Sequence, residues 1–297
     1  MINTIGECSG RYKIEAVKPD GSRRVLAEWF PNLILDAGLN RMGNNSDYLN
    51  WCQVGTGSTA PAITQVSLAA YLASTDGKIS DTPSNSGSEP YYAMRTKTFR
   101  FAAGVATGVL AEVGVGWAST GSLYSRALIL DALGTPTTIT VLADEALDVT
   151  YELRMYVWAE TGEGTITLAE VEHDVVLKAA LAGDWSLQGA QLNAANTPLV
   201  AGFTGDVSAS ITGSPSGTSL GGFGGAGISP VAYTENSLER RFNINAGLPQ
   251  WNNASGIGAI AIIAGWGTWQ IGFTPNIMKT ADDVLTLQIK HSWGRAT

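Results

Sequence analysis

Two histidines, His173 and His291, are the only side chains here that ordinarily change charge near neutral pH. A general acid–base or nucleophilic site of the familiar kind would draw on one of them. Such a site also needs a nucleophile on a strained turn, and no Gly-x-Ser-x-Gly segment is present. H-E-x-x-H, an EF-hand loop and a phosphate-cradling G-x-x-x-x-G-K-[ST] are absent too. His291 falls on the last predicted strand and reads as a packed or surface residue. No catalytic residue is predicted, and the chain is expected not to be an enzyme.

Carboxylates pair at Asp144–Glu145 and Asp282–Asp283, and their hard oxygens are of the kind that hold calcium. Each pair leads into an alternating apolar run, so both are read as solvated turns entering strands, and no metal or cofactor is predicted. Gly222-Phe223-Gly224-Gly225-Ala226-Gly227 matches the dinucleotide fingerprint literally. That fingerprint needs a strand before it and a helix after it. Here it sits in a Gly/Ser/Thr tract with Pro230 soon after, and reads as a loop. Trp266 and Trp269 lie in a Gly-rich turn, Ala264 to Trp269. If exposed, their rings would stack on a sugar or fill a partner's pocket. If packed, they belong to the core. Cys8 and Cys52 lack CxxC spacing and read as small semi-buried thiols, with a bridge between them left open.

The charge balance narrows the partners. The chain has 18 Lys and Arg against 26 Asp and Glu, a formal net charge of −8, and its basic residues cluster no further than Arg23–Arg24 and Arg240–Arg241. A nucleic-acid groove needs a basic stripe, so none is predicted. No apolar run approaches bilayer-spanning length, and Met1 to Glu7 lacks the pattern of a signal peptide. Folding in a reducing cytoplasm is expected. Charged residues make up only 15% of the chain, well below the usual quarter. Surfaces built from Gly, Ser, Thr and Ala cost little to desolvate and suit contacts with other subunits.

The elements that would position these residues are mostly strands. Residues 11–17 and 23–29 alternate across Lys18-Pro19-Asp20-Gly21-Ser22, which predicts a β-hairpin. Leu35, Leu39 and Met42 recur at helical spacing, with Asn32 as N-cap and Gly43 beyond the end, which predicts a short helix. Residues 73–92 read as a surface loop. Strands are expected at 96–101, 110–117, 122–130, 137–142 and 147–158, then at 165–170, 174–180, 241–245, 257–263, 268–273 and 284–293. Two blocks recur in order. Phe99 to Gly104 resembles Phe242 to Gly247, and Ala143 to Tyr151 resembles Ala281 to Ile289. The expected fold is mainly β: two β-sandwich or jelly-roll-like domains, 1–160 and 161–297, related by internal duplication, with one short helix in the first.

Three segments carry a family resemblance. They are Trp29 to Leu39 with Asn32-Leu33-Ile34 and Gly38-Leu39, then Val54-Gly55-Thr56-Gly57-Ser58-Thr59-Ala60-Pro61, then Leu110 to Trp117 with Leu123 to Ile129. They resemble virion proteins of tailed bacteriophages: tail, tail-fibre-associated or minor structural proteins. The resemblance covers roughly the first half of the chain, and its motifs are structural. It implies a structural component of the virion tail or neck, assembled in the host cytoplasm. Such a protein would form homo-oligomers and contact other phage virion proteins. The alternative it leaves open is a receptor-binding or carbohydrate-binding tip protein that contacts a host glycan or receptor, with Trp266 and Trp269 as the contact residues.

Overall fold

The computed structural model describes residues 2–44, 47–86, 88–157, 162–180, 198–211, 213–223, 227–264 and 267–296. The protein is mainly β, with several multi-stranded sheets and, among the described residues, one helix. The first strands are β1 (Ile2–Val17), β2 (Arg23–Pro31) and β3 (Leu33–Ile34), followed by α1 (Asp36–Met42). Then come β4 (Trp51–Gly55), β5 (Tyr71–Thr75), β6 (Lys78–Asn85), β7 (Tyr92–Phe101), β8 (Gly108–Leu110), β9 (Glu112–Gly116) and β10 (Leu123–Leu128). Next are β11 (Ile139–Val141), β12 (Ala146–Val157), β13 (Gly162–Leu168), β14 (Val171–Ala180), β15 (Leu199–Phe203) and β16 (Ser219–Phe223). The chain closes with β17 (Ile228–Pro230), β18 (Glu239–Ala246), β19 (Ile257–Ala264), β20 (Gly267–Ile277) and β21 (Leu285–Arg295).

The chain groups into two compact units, each assembled from separated segments. One comprises 8–84, 94–154 and 295–297; the other comprises 1–7, 85–93 and 155–294. We call them the N-proximal and C-proximal units. The expected boundary at 160/161 lies outside the described residues.

In the N-proximal unit β1, β12, β7 and β6 lie side by side in that order, with β2 paired to β1. A five-stranded sheet, β3–β10–β9–β4–β5, packs against them. Tyr12 on β1 reaches Ser125 Oγ on β10 at 2.7 Å, and Tyr124 on β10 reaches Cys8 on β1, so the two sheets face each other as a sandwich. β12 shows why these residues form strands. Leu147, Val149, Tyr151, Leu153 and Met155 are buried, while Asp148, Thr150, Glu152 and Arg154 point to the opposite face. The hairpin forms as expected, with Val17 opposite Arg23 and Arg11 opposite Pro31. Gly21 takes φ 83° in its turn, a conformation that favours glycine.

Several expectations are corrected. The helix begins at Asp36 rather than at Asn32, because Leu33 and Ile34 pair with Arg126 and Ser125 as β3. Asn32 is not its cap, and its amide donates to the Tyr151 hydroxyl. Gly43 follows Met42 at the helix end as expected, with a right-handed backbone at φ −65°. Residues 73–92 are not one loop: β5 ends there, and β6 and the start of β7 lie within it. β6 is an edge strand with almost every residue exposed, so it needs no apolar alternation. The Gly/Ser/Thr tract from Gly202 to Ser229 includes the end of β15, all of β16 and the start of β17.

In the C-proximal unit, β17–β18–β21–β1 are neighbours, and a six-stranded sheet runs β13–β14–β20–β19–β15–β16. Trp269 on β20 lies 5.2 Å from the His291 ring on β21, which joins the two layers. The matched sequence blocks become neighbouring strands in each unit: β7 beside β12, and β18 beside β21. That equivalence is local and does not establish a duplication. Among the described residues no helix is long and apolar enough to cross a membrane.

Candidate functional site

The segments that carry the family resemblance meet at one buried ion pair. β9 and β10 are antiparallel, with Glu112 opposite Leu128 and Arg126 opposite Gly114. The Glu112 and Arg126 side chains are both fully buried and lie 2.7 Å apart. Arg126 Nε also donates to Glu112 at 2.8 Å, Nη1 to Gln65 Oε1 at 2.7 Å and Nη2 to the Thr59 carbonyl at 2.7 Å. The Glu112 carboxylate further accepts the backbone N–H of Gly57 at 3.0 Å, Ala69 at 2.9 Å and Ala70 at 2.7 Å. These contacts fasten the 56–70 loop to the sheet. Two motif glycines explain themselves here. A Cβ on Gly57 would stand 2.4 Å from Glu112 Oε1, and one on Gly55 would stand 2.7 Å from it. The Val-Gly-Thr-Gly run therefore makes room for a carboxylate that holds the backbone.

The outer face of β12 spends its charge in the same way. Asp148, whose side chain is fully buried, takes Arg100 through both oxygens at 2.7 Å and Arg23 at 2.7 Å. Glu152 accepts from Arg11 and Arg154. The Asp144–Glu145 pair is a turn, in which Glu145 accepts the Leu142 N–H at 3.0 Å and pairs with Arg24 at 2.9 Å. Those contacts hold its carboxyl below the usual range, the Leu142 hydrogen bond first. In the Asp282–Asp283 pair, Asp283 accepts from the Thr280 hydroxyl and N–H, which lowers its pKa. Among the described residues no group of three His, Cys, Asp or Glu is placed to hold a metal ion.

The C-proximal unit carries a groove of about 750 Å³. Its floor includes the buried Ile277, Leu285, His173 and Lys279, and its rim the exposed Val171, Met278 and Val284. His173 Nδ1 lies 2.6 Å from the Pro275 carbonyl, so Nδ1 carries a hydrogen and donates it. Lys279 Nζ donates to Asn252 Oδ1 at 2.8 Å and to the Thr280 carbonyl at 3.2 Å. The lining is mixed: Ser255, Asn276, Asp283 and Thr286 join His173 and Lys279 beside the apolar residues.

Trp269 is 3% exposed and packs within the C-proximal unit, which leaves no open ring face for a sugar or partner. Trp266 lies outside the described residues. His291 is buried, with Nδ1 2.8 Å from the Thr4 hydroxyl, and burial pushes its pKa well below the usual value. Cys8 and Cys52 are both buried and unbridged. Glu112 and Arg126 fall inside the runs Leu110 to Trp117 and Leu123 to Ile129, where the sequence alone assigns them no role. The available signal was a charged residue inside an otherwise apolar strand. Comparison with protein-family models, with curated proteins and with solved structures finds no match.

Proposed function

We propose that this chain is a structural component of a tailed-bacteriophage virion, in the tail or neck, acting through protein–protein contacts. The observation that carries this reading is the Glu112–Arg126 lock. The segments that resemble virion proteins, 54–61 and 110–129, meet there, and their polar groups are spent on fixing a loop to a sheet. A motif used that way supports an assembly role. The low charged fraction of the chain supports it too, because neutral surfaces are cheap to bury between subunits. In this reading the protein forms homo-oligomers, contacts other virion proteins and resides in the particle. Mass spectrometry of purified particles, followed by location of the chain in a density map, tests it. A map at side-chain detail with no copy of the chain sinks the reading.

The groove, with its mixed apolar and polar lining, favours a second reading, a tip protein that recognises a host receptor or glycan. Val284 stands exposed on its rim. Binding of the purified chain to host cells, abolished by Val284→Asp, would support recognition. Equal binding by both proteins, or no binding at all, would count against it.

A further inference from the structure

Three of the buried cations are held in distinct ways. Arg126 is answered from inside by a carboxylate, a carbonyl and an amide oxygen. Lys97 donates to the Leu49 carbonyl at 3.1 Å and lies 3.5 Å from Asp81, and burial brings its pKa down to about 8. A lysine relieves burial by releasing its proton, whereas a guanidinium keeps its proton throughout the accessible pH range.

Arg240 has neither remedy. It is 2% exposed and occupies the core-facing row of β18, in line with Phe242, Ile244 and Ala246. Its Nε and Nη1 are buried and make no hydrogen bond. Across the ladder it faces His291, which burial keeps neutral and which brings no negative charge. The adjacent Glu239 is engaged with Arg241 and Lys290. Tyr233 covers the guanidinium with its ring centre 6.0 Å away, and stacks in turn on Trp293. The covering segment, 231–238, holds Asn236 at φ 62° and Leu238 at φ 51°, left-handed conformations that side-chain-bearing residues adopt at a cost. It is tied down at its ends by Val231 N–H to the Arg241 carbonyl and by Trp293 N–H to the Leu238 carbonyl.

We propose that Arg240 anchors an anion site beneath the 231–238 segment, and that the ligand it takes is a carboxylate. An ionised group buried without a counter-charge carries a desolvation penalty, which a bound anion offsets. The flat two-oxygen geometry of a carboxylate matches the guanidinium fork. The source is either a free small carboxylate or an acidic side chain of a neighbouring copy.

The test follows thermal unfolding of the full chain at pH 7.5 as sodium acetate replaces sodium chloride at constant ionic strength. The wild type should show a saturable rise of about 2–4 °C. Arg240→Met removes the charge at similar volume. It should unfold no earlier than wild type without acetate and should ignore acetate. An equal response in both proteins, or none in wild type with no change on raising the protein concentration, overturns the proposal. Stability that rises with protein concentration in wild type but not in Arg240→Met assigns the carboxylate to a neighbouring copy. If Arg240→Met does not fold, the Arg240 Nε–H resonance of wild type serves instead: it should move on acetate addition, and an unmoved resonance overturns the site.

Discussion

Replacing Glu112 with Gln should unfasten the 56–70 loop at a cost of about 3–5 kcal/mol, the range for breaking a buried ion pair by removing one partner. The geometry shows where that cost arises. Oε1 accepts the N–H of Gly57 and Ala70, and Oε2 accepts Ala69 N–H and Arg126. A glutamine places its NH2 on one of those two positions, so two donors lose their acceptor whichever way the amide turns. Each buried donor left unsatisfied costs about 1–3 kcal/mol. The fully buried Arg126 also loses its counter-charge. Arg126→Met should cost a similar amount, because it strands the Thr59 carbonyl and leaves the carboxylate unpaired. The double substitution should cost less than the sum of the two by about 2 kcal/mol, since each single change already breaks the shared contact. Urea unfolding followed by tryptophan fluorescence gives the totals, and hydrogen exchange at Gly57, Ala69 and Ala70 reads the loop directly. Costs that add within about 0.5 kcal/mol would refute the reasoning. So would wild-type exchange protection at those three amides in Glu112→Gln.

Asp148→Asn should cost less, about 1–3 kcal/mol, because Arg23 and Arg100 are well exposed and water can replace the lost partner. Denaturation in high salt should shrink that cost while leaving the Glu112 effect in place. Lowering the pH should destabilise the protein through His291. Its folded pKa lies well below the unfolded value, so the stability it contributes is full above about pH 6.5 and falls as the pH drops further. The slope should approach about 1.4 kcal/mol per pH unit, and His291→Gln should flatten it in urea titrations at pH 7.5 and 5.5. Gly38→Ala should destabilise the contact between α1 and β10 by about 1–3 kcal/mol in urea unfolding, although alanine favours helix, because the new Cβ would fall 2.3 Å from the Tyr124 carbonyl oxygen.

Legibility in the sequence followed the environment of each element. β12 was plain because one face is buried and the other paired, so its side chains alternate without a break. The β1–β2 hairpin was plain because its turn residues act locally. β6 was hidden because an edge strand exposed along almost its whole length has no reason to alternate. The start of α1 was misplaced because Leu33 and Ile34 satisfy a helical period and a strand equally well. Only their pairing with Arg126 and Ser125, about ninety residues away, decides between the two. The Glu112 lock was out of reach for a related reason. Its backbone partners precede it by 42 to 55 residues, and no local pattern records a hydrogen bond to a main-chain N–H.

The way the charge is spent bears on function more than any single pocket does. Arg11, Arg23, Arg24, Arg100 and Arg126 all pair with carboxylates within the N-proximal unit. Charge held in such pairs exerts a weak outward field, so attraction of a charged ligand at long range is a poor use for this surface. Threonine and aliphatic side chains are exposed in its place. Val109 and Leu142, on and beside the β8–β11 pair, are 52% exposed, and Thr140, opposite Val109, is also exposed. Such a face gains by being covered and loses little on desolvation. Arg240 departs from this economy as a buried cation with two unanswered donors, in a core row where its neighbours are apolar. A site kept at that cost calls for a ligand, and its test is independent of the assembly role. The chain can prove to be a virion component with an inert Arg240, or bind acetate and never enter a particle.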